Sequence, residues 1–178
     1  MGVAAELVRR LARAEIGSTH NQYADSPLRR ARLRAYLEAK RGASILLVGE
    51  AAGYNGARVS GIAFTSERQL TGTGPAEISA TIVHRTLAEL GIADEVLLWN
   101  VVPTHPHLPG EPRSNRRPTS AEIEASRPFL EALAGSGASN RLLLAVGRLA
   151  QRELGGPYIR HPSHGGATAF RETLAACL

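Results

Sequence analysis

The apolar run Ser44-Ile45-Leu46-Leu47-Val48 stops abruptly at Gly49-Glu50-Ala51-Ala52-Gly53, and this junction constrains the fold more than any other feature of the chain. An unbroken apolar run without alternation is the pattern of a strand buried on both faces. Glycines directly after it allow a tight turn and a close approach of backbone to a ligand. The arrangement recurs downstream. Glu95 to Trp99 reads as a second buried strand ending at Asn100, Arg141 to Val146 as a third, and Pro157 to Arg160 as a short fourth.

Helical patterns separate these strands. Residues 3–15 carry apolar positions at helical spacing, and Ser26-Pro27 is an N-cap followed by proline that opens a helix to about Arg41. A long Gly-rich loop follows the first strand, then a helix from about Ala76 to Leu90, stopped by Gly91. The segment from Pro103 to Pro118 contains five prolines and is expected to be irregular. Thr119-Ser120-Ala121-Glu122 is a capping box that starts a helix to about Leu133. Arg148 to Leu154 and a segment from about Thr168 complete the set. Strands alternating with helices imply an α/β fold with a parallel sheet covered on both faces. Ligands of such sheets bind beyond the carboxyl ends of the strands, where Gly49, Asn100 and the loop at His161 fall.

At 178 residues and 43% hydrophobic content, with no repeat or linker, the chain is expected to form one domain over 1–178. The single Cys, Cys177, can form no internal disulfide and cannot hold an iron–sulfur cluster, which needs about four thiolates. His105, His107, His161 and His164 lack the spacing and partner ligands of a zinc site, so no metal or cofactor is expected. No signal peptide or membrane span is apparent, and a cytoplasmic monomer is the expectation. A net charge of +5, carried by 21 basic residues of which only Lys40 is lysine, favours an acidic polymer such as DNA, single- or double-stranded, as the partner.

Gly49-Glu50-Ala51-Ala52-Gly53, Ala63-Phe64-Thr65, Asn100-Val101-Val102, Asn115-Arg116-Arg117-Pro118-Thr119, Arg127-Pro128-Phe129-Leu130, Ala145-Val146-Gly147 and His161-Pro162-Ser163 follow one another in this order. Together they resemble the motifs of the uracil-DNA glycosylase superfamily, closest to its family 4 type, over residues 44–171. The resemblance implies a three-layer α/β/α sandwich around a four-stranded parallel sheet. Family 4 members carry cysteines for an iron–sulfur cluster; this chain lacks them and is like a cluster-free branch. Ala51 stands where other families place a water-activating Asp or Asn.

A glycosylase must extrude its base and stabilise a departing pyrimidine anion. On the resemblance, His161 donates to the pyrimidine carbonyl between the ring nitrogens, an interaction that strengthens as the bond breaks. Asn100 contacts the Watson–Crick edge and Phe64 stacks on the base. Gly49, Ala51 and Gly53 bring backbone close, with Tyr54 beside them. Glu50 and Asn55 are candidates for orienting water. Ser163, His164, Gly165, Arg116 and Arg117 are candidate contacts to the DNA backbone. Related enzymes place a Tyr at the Gly53 position against the pyrimidine 5-edge. Glycine leaves that edge open unless Tyr54 or another group closes it.

The expected activity is monofunctional excision of uracil or another modified, including 5-substituted, pyrimidine to leave an abasic site. Alternatives are a glycosylase acting on hypermodified phage cytosines in antiviral defence, a catalytically silent DNA-binding module, and a hydrolase of free nucleosides.

Overall fold

The structure, a computed structural model, describes residues 2–135 and 141–178. Helices α1 (Val3–Arg13) and α2 (Pro27–Ala39) precede strand β1 (Ile45–Ala51). Short helices α3 (Ala57–Ser60) and α4 (Glu67–Thr71) interrupt the segment expected to be a loop, and α5 (Ile78–Glu89) follows. Next come β2 (Val96–Val102), α6 (Ser120–Gly135), β3 (Leu142–Val146), α7 (Arg148–Leu154), β4 (Tyr158–Ile159) and α8 (Ala167–Ala175). The four strands form one sheet in the order β2-β1-β3-β4, all parallel. Among the described residues no helix is long and apolar enough to cross a membrane.

The period of two along each strand assigns residues to the layers. Leu46, Val48, Leu97, Trp99 and Val101 pack with α1, α2, α6 and α7 on one face. Ile45, Leu47, Val96 and Leu98 pack with Val83 and Leu87 of α5 and with Phe170 and Leu174 of α8 on the other. The result is the expected α/β/α sandwich.

The strands continue further than expected. β1 runs through Gly49 to Ala51, and β2 passes Asn100 to Val102, because the ladder persists through Gly49↔Asn100 and Ala51↔Val102. Both motifs therefore begin inside the sheet, where the register dictates which way each side chain points. Position 49 faces the same side as 45 and 47, and position 100 the same side as 96 and 98.

The capping box at α6 forms as predicted: Glu122 Oε2 accepts from the Thr119 N–H at 2.8 Å, and the Glu122 N–H donates to Thr119 Oγ1 at 3.2 Å. Glu122 also takes two N–H donors of Arg116, at 2.6 and 2.8 Å. This pair ties the proline-rich segment to α6. Gly17, at φ 53°, passes so close that a side-chain carbon there would meet Glu122 Cγ at 2.6 Å. The hydrogen bond from Arg116 is the main cause that draws the Glu122 carboxyl from near 4.5 to about 2.

Replacing Glu122 with Ala leaves the Arg116 guanidinium, 16% exposed, without its partner. Chemical denaturation is expected to show a loss of about 3 kcal/mol, the scale for breaking a largely buried pair. A carboxyl with a depressed folded-state pKa stabilises the fold above its ordinary value and loses that contribution as pH falls. The difference between wild type and Glu122→Ala is therefore expected to shrink as pH drops from near 4.5 towards 2. An unchanged difference across that range would show that the ion pair contributes little.

Candidate active site

The strand register brings three motifs together. Gly49 lies between the Phe64 ring and the Asn100 amide: a side-chain carbon on Gly49 would overlap Phe64 Cζ and come within 2.7 Å of Asn100 Oδ1. Only glycine permits this approach. Phe64 and Asn100 are 8% and 5% exposed, so both retain a small open edge. Phe64 packs in the core on the α5 side and also holds φ 50°, a left-handed conformation unusual for a bulky residue. Its ring is thus both a core element and a wall beside Asn100.

Immediately outward along β1, Glu50 and Ala51 enter the wall of a cleft of about 950 Å³. Gly53, Tyr54, Asn55, Arg116, Arg117, His161, Ser163 and His164 also line it. Gly49, Phe64, Asn100 and Gly165 do not line it; the first three are buried, and Gly165 is exposed with φ 74°. A second cleft, of about 540 Å³ between α1 and α2, is lined by Arg9, Arg13, Arg30 and Arg34 over alanines and holds none of the motif residues.

His161 has a defined hydrogen-bond state. The Ser163 backbone N–H reaches Nδ1 at 3.1 Å, and Ser163 Oγ lies 2.7 Å from the same atom. A backbone N–H can only donate, so Nδ1 accepts and the ring proton resides on Nε2. His164 Nδ1 sits 3.0 Å from Ser163 Oγ, which completes a chain from His164 through the hydroxyl to His161. His164 itself takes φ 53° to make the turn. Burial, with Arg160 and His164 nearby, lowers the His161 pKa below 6.5. The ring is a neutral imidazole with one N–H available at the cleft.

Two carboxyls share the cleft. Burial raises the pKa of Glu50, opposed by Arg117 and Arg152, and raises that of Glu77, opposed by the Ser79 hydroxyl. Glu77 carries no motif and was not singled out from sequence. It lies at the start of α5, and its carboxylate covers Gly53, where a side-chain carbon would meet Oε1 at 3.0 Å. The Glu77 carboxylate therefore stands over Gly53, in the place that glycine leaves open unless another group closes it. Tyr54 is not that group; its ring lies under Arg58, 4.6 Å from the guanidinium carbon, and tilts against His105.

Arg116, expected as a phosphate contact, has its guanidinium bonded to protein groups. Its guanidinium donates to the carbonyls of His107 and Arg117, to Ser18 and to Glu122, which directs it inward. Arg117 is exposed at the cleft. Two further residues support the β1 loop without having been picked out for it. Asn115 Oδ1 accepts from the Tyr54 N–H at 2.9 Å, and His105 Nδ1 bonds the Ala52 carbonyl at 2.8 Å. Asn115 stands in a recognised motif, which was a signal; the His105 contact spans 53 residues and left none.

The profile of the Uracil DNA glycosylase superfamily matches residues 37–174, and the chain belongs to that superfamily. Among solved structures, that of wild-type Pedobacter heparinus SMUG2 superposes with a TM-score of 0.71 at 12% identity, covering 99% of this chain and 96% of that one. That likeness is one of fold. A comparison with curated proteins finds no match.

The tautomer is open to direct test. Long-range ¹H–¹⁵N spectra at neutral pH are expected to show His161 with a protonated Nε2 and an unprotonated Nδ1. Because its pKa is lowered, the ring is expected to remain neutral as pH falls past 6.5. An imidazolium at neutral pH, or a proton on Nδ1, would contradict the assignment.

Proposed function

We propose that this protein is a monofunctional DNA glycosylase that extrudes uracil or another modified pyrimidine and hydrolyses its N-glycosidic bond. The observation that carries the reading is His161, held neutral with its Nε2–H at the cleft by the Ser163 backbone. As the bond between C1′ and the base breaks, negative charge collects on the base and positive charge on the sugar. A fixed neutral donor gains strength as the pyrimidine C2 carbonyl becomes anionic, so its effect is concentrated in the transition state. Water adds hydroxide to C1′, and its second proton completes the departing base.

Asn100 supports recognition of the Watson–Crick edge, because its amide has one donor side and one acceptor side and lies against Gly49. Phe64 supplies a ring for the base to rest against. Glu50 and Asn55 line the cleft and are the groups proposed to orient water, since Ala51 has no side chain to do so. Ser163, His164, Gly165 and Arg117 form a rim suited to phosphates. Arg116 serves by holding that rim in place.

A lyase step through a Schiff base is disfavoured by the position of the single lysine. Lys40 Nζ donates to the Ala93 carbonyl at 2.7 Å, before the start of β2 and at the opposite end of the sheet from the cleft. The rival reading, a silent DNA-binding module, draws its support from Ala51.

The test is incubation with single- and double-stranded oligonucleotides carrying uracil or 5-substituted pyrimidines, followed by detection of free base and abasic product. His161→Ala is expected to slow release at least about 100-fold, the scale for losing a preorganised donor. Its DNA affinity should change little, because phosphate contacts dominate binding. Binding without release by the wild type on every substrate would favour the silent module. Unchanged turnover in His161→Ala would remove this residue from the mechanism.

A further inference from the structure

Glu77 stands in the cleft beside the β1 loop and has no part in the chemistry above. Its carboxylate lies over two glycines: a side-chain carbon on Gly53 would meet Oε1 at 3.0 Å and Oε2 at 3.2 Å, and one on Gly56 would overlap Oε2. The Ser79 hydroxyl donates to Oε1 at 2.7 Å. Among the described residues no donor reaches Oε2 and no Arg or Lys pairs with the group; burial is the leading influence on its pKa. Oε2 keeps its lone pairs open towards the cleft with no counter-charge beside it, where a donor on a ligand can bond it.

The shape of a pyrimidine determines which part of it would arrive there. C5 lies across the ring from C2. A base that offers its C2 carbonyl to His161, in the loop after β4, turns its 5-edge away from that loop. In the order β2-β1-β3-β4, the walls on that far side are the loops after β1 and β2, and Glu77 overlies the first of them. A side chain at Gly56 would displace the carboxylate, and one at Gly53 would crowd it.

The geometry points to Glu77 as the specificity-determining residue of this site, its carboxylate meeting the pyrimidine 5-substituent and selecting one that donates a hydrogen bond, such as hydroxymethyl, over methyl. The inference rests on the glycosylase reading, which supplies the pose of the base. A methyl group would strip water from the carboxylate and return no bond. A hydroxymethyl group reaches the same place and donates to Oε2.

The experiment uses the full chain and oligonucleotides carrying uncleavable 2′-fluoroarabino pyrimidines with hydrogen, methyl or hydroxymethyl at C5, together with their cleavable counterparts. Wild type is expected to bind the hydroxymethyl base at least about tenfold more tightly than the methyl base, the scale of a hydrogen bond to a charged group. Glu77→Ala is expected to bring that ratio close to one while folding normally in a thermal melt. Glu77→Gln keeps the volume and guards against collapse of the loop; it should also reduce the ratio, since a neutral amide accepts less strongly than a carboxylate. A wild type without preference, or a preference that survives both substitutions, overturns the assignment. Release of every base without preference sinks this inference alone. Preference in binding with no release of any base sustains it and sinks the glycosylase reading instead.

Discussion

The pairing of Gly49 with Asn100 across β1 and β2 is the contact on which the rest of the site depends. Because the two strands are parallel and in this register, both residues point to the α5 side of the sheet. The missing side chain at 49 then lets Phe64 and Asn100 come together where a Cβ would stand. One residue further on, the backbone emerges into the cleft. A side chain at 49 would force the Phe64 ring or the Asn100 amide to shift, while β1 and β2 stay paired from position 45 to position 51.

Electrostatics gives the cleft two distinct parts. Arg117 and Arg148 belong to its rim, suited to a polyanion. The interior holds Glu50 and Glu77, both with pKa raised by burial, and a histidine whose pKa is lowered for the same reason. Burial raises the two carboxyls and lowers the histidine, in each case disfavouring the charged form without removing the acceptor oxygens of the glutamates. A neutral donor at His161 suits a reaction in which charge develops only as the bond breaks, since a donor matched to the transition state need not be charged beforehand. The Ser163 backbone enforces this state, and the turn at His164 that makes the bond is itself in a left-handed conformation.

The layers, the four parallel strands and the gathering of motifs at one end were legible in sequence because each rests on local pattern: apolar runs, caps and Gly-rich turns. Strand ends were less so. Whether β1 stops at Val48 or continues through Gly49 depends on what pairs with it, and pairing with β2 is non-local. Arg116 shows a partner that the motif alone did not reveal. Its place in a basic, proline-rich loop suggested a phosphate contact, yet the capping box three residues on already contained the acid, Glu122, that draws it inward. Glu77 was illegible for a simpler reason. It meets Gly53 and Gly56 from more than twenty positions away, and an acidic residue before a helix ordinarily reads as a solvated first turn.

In the proposed function, the buried Gly49–Phe64–Asn100 group and the His161 cleft act together on one extruded base. The most direct measurement is a crystal structure with DNA containing an uncleavable C-nucleoside analogue of uridine. The expected complex has a base turned out of the stack, its C2 carbonyl about 3 Å from His161 Nε2, its Watson–Crick edge at the Asn100 amide and one face against Phe64. A base that remains stacked, or one lodged in the arginine-lined cleft between α1 and α2, would contradict it.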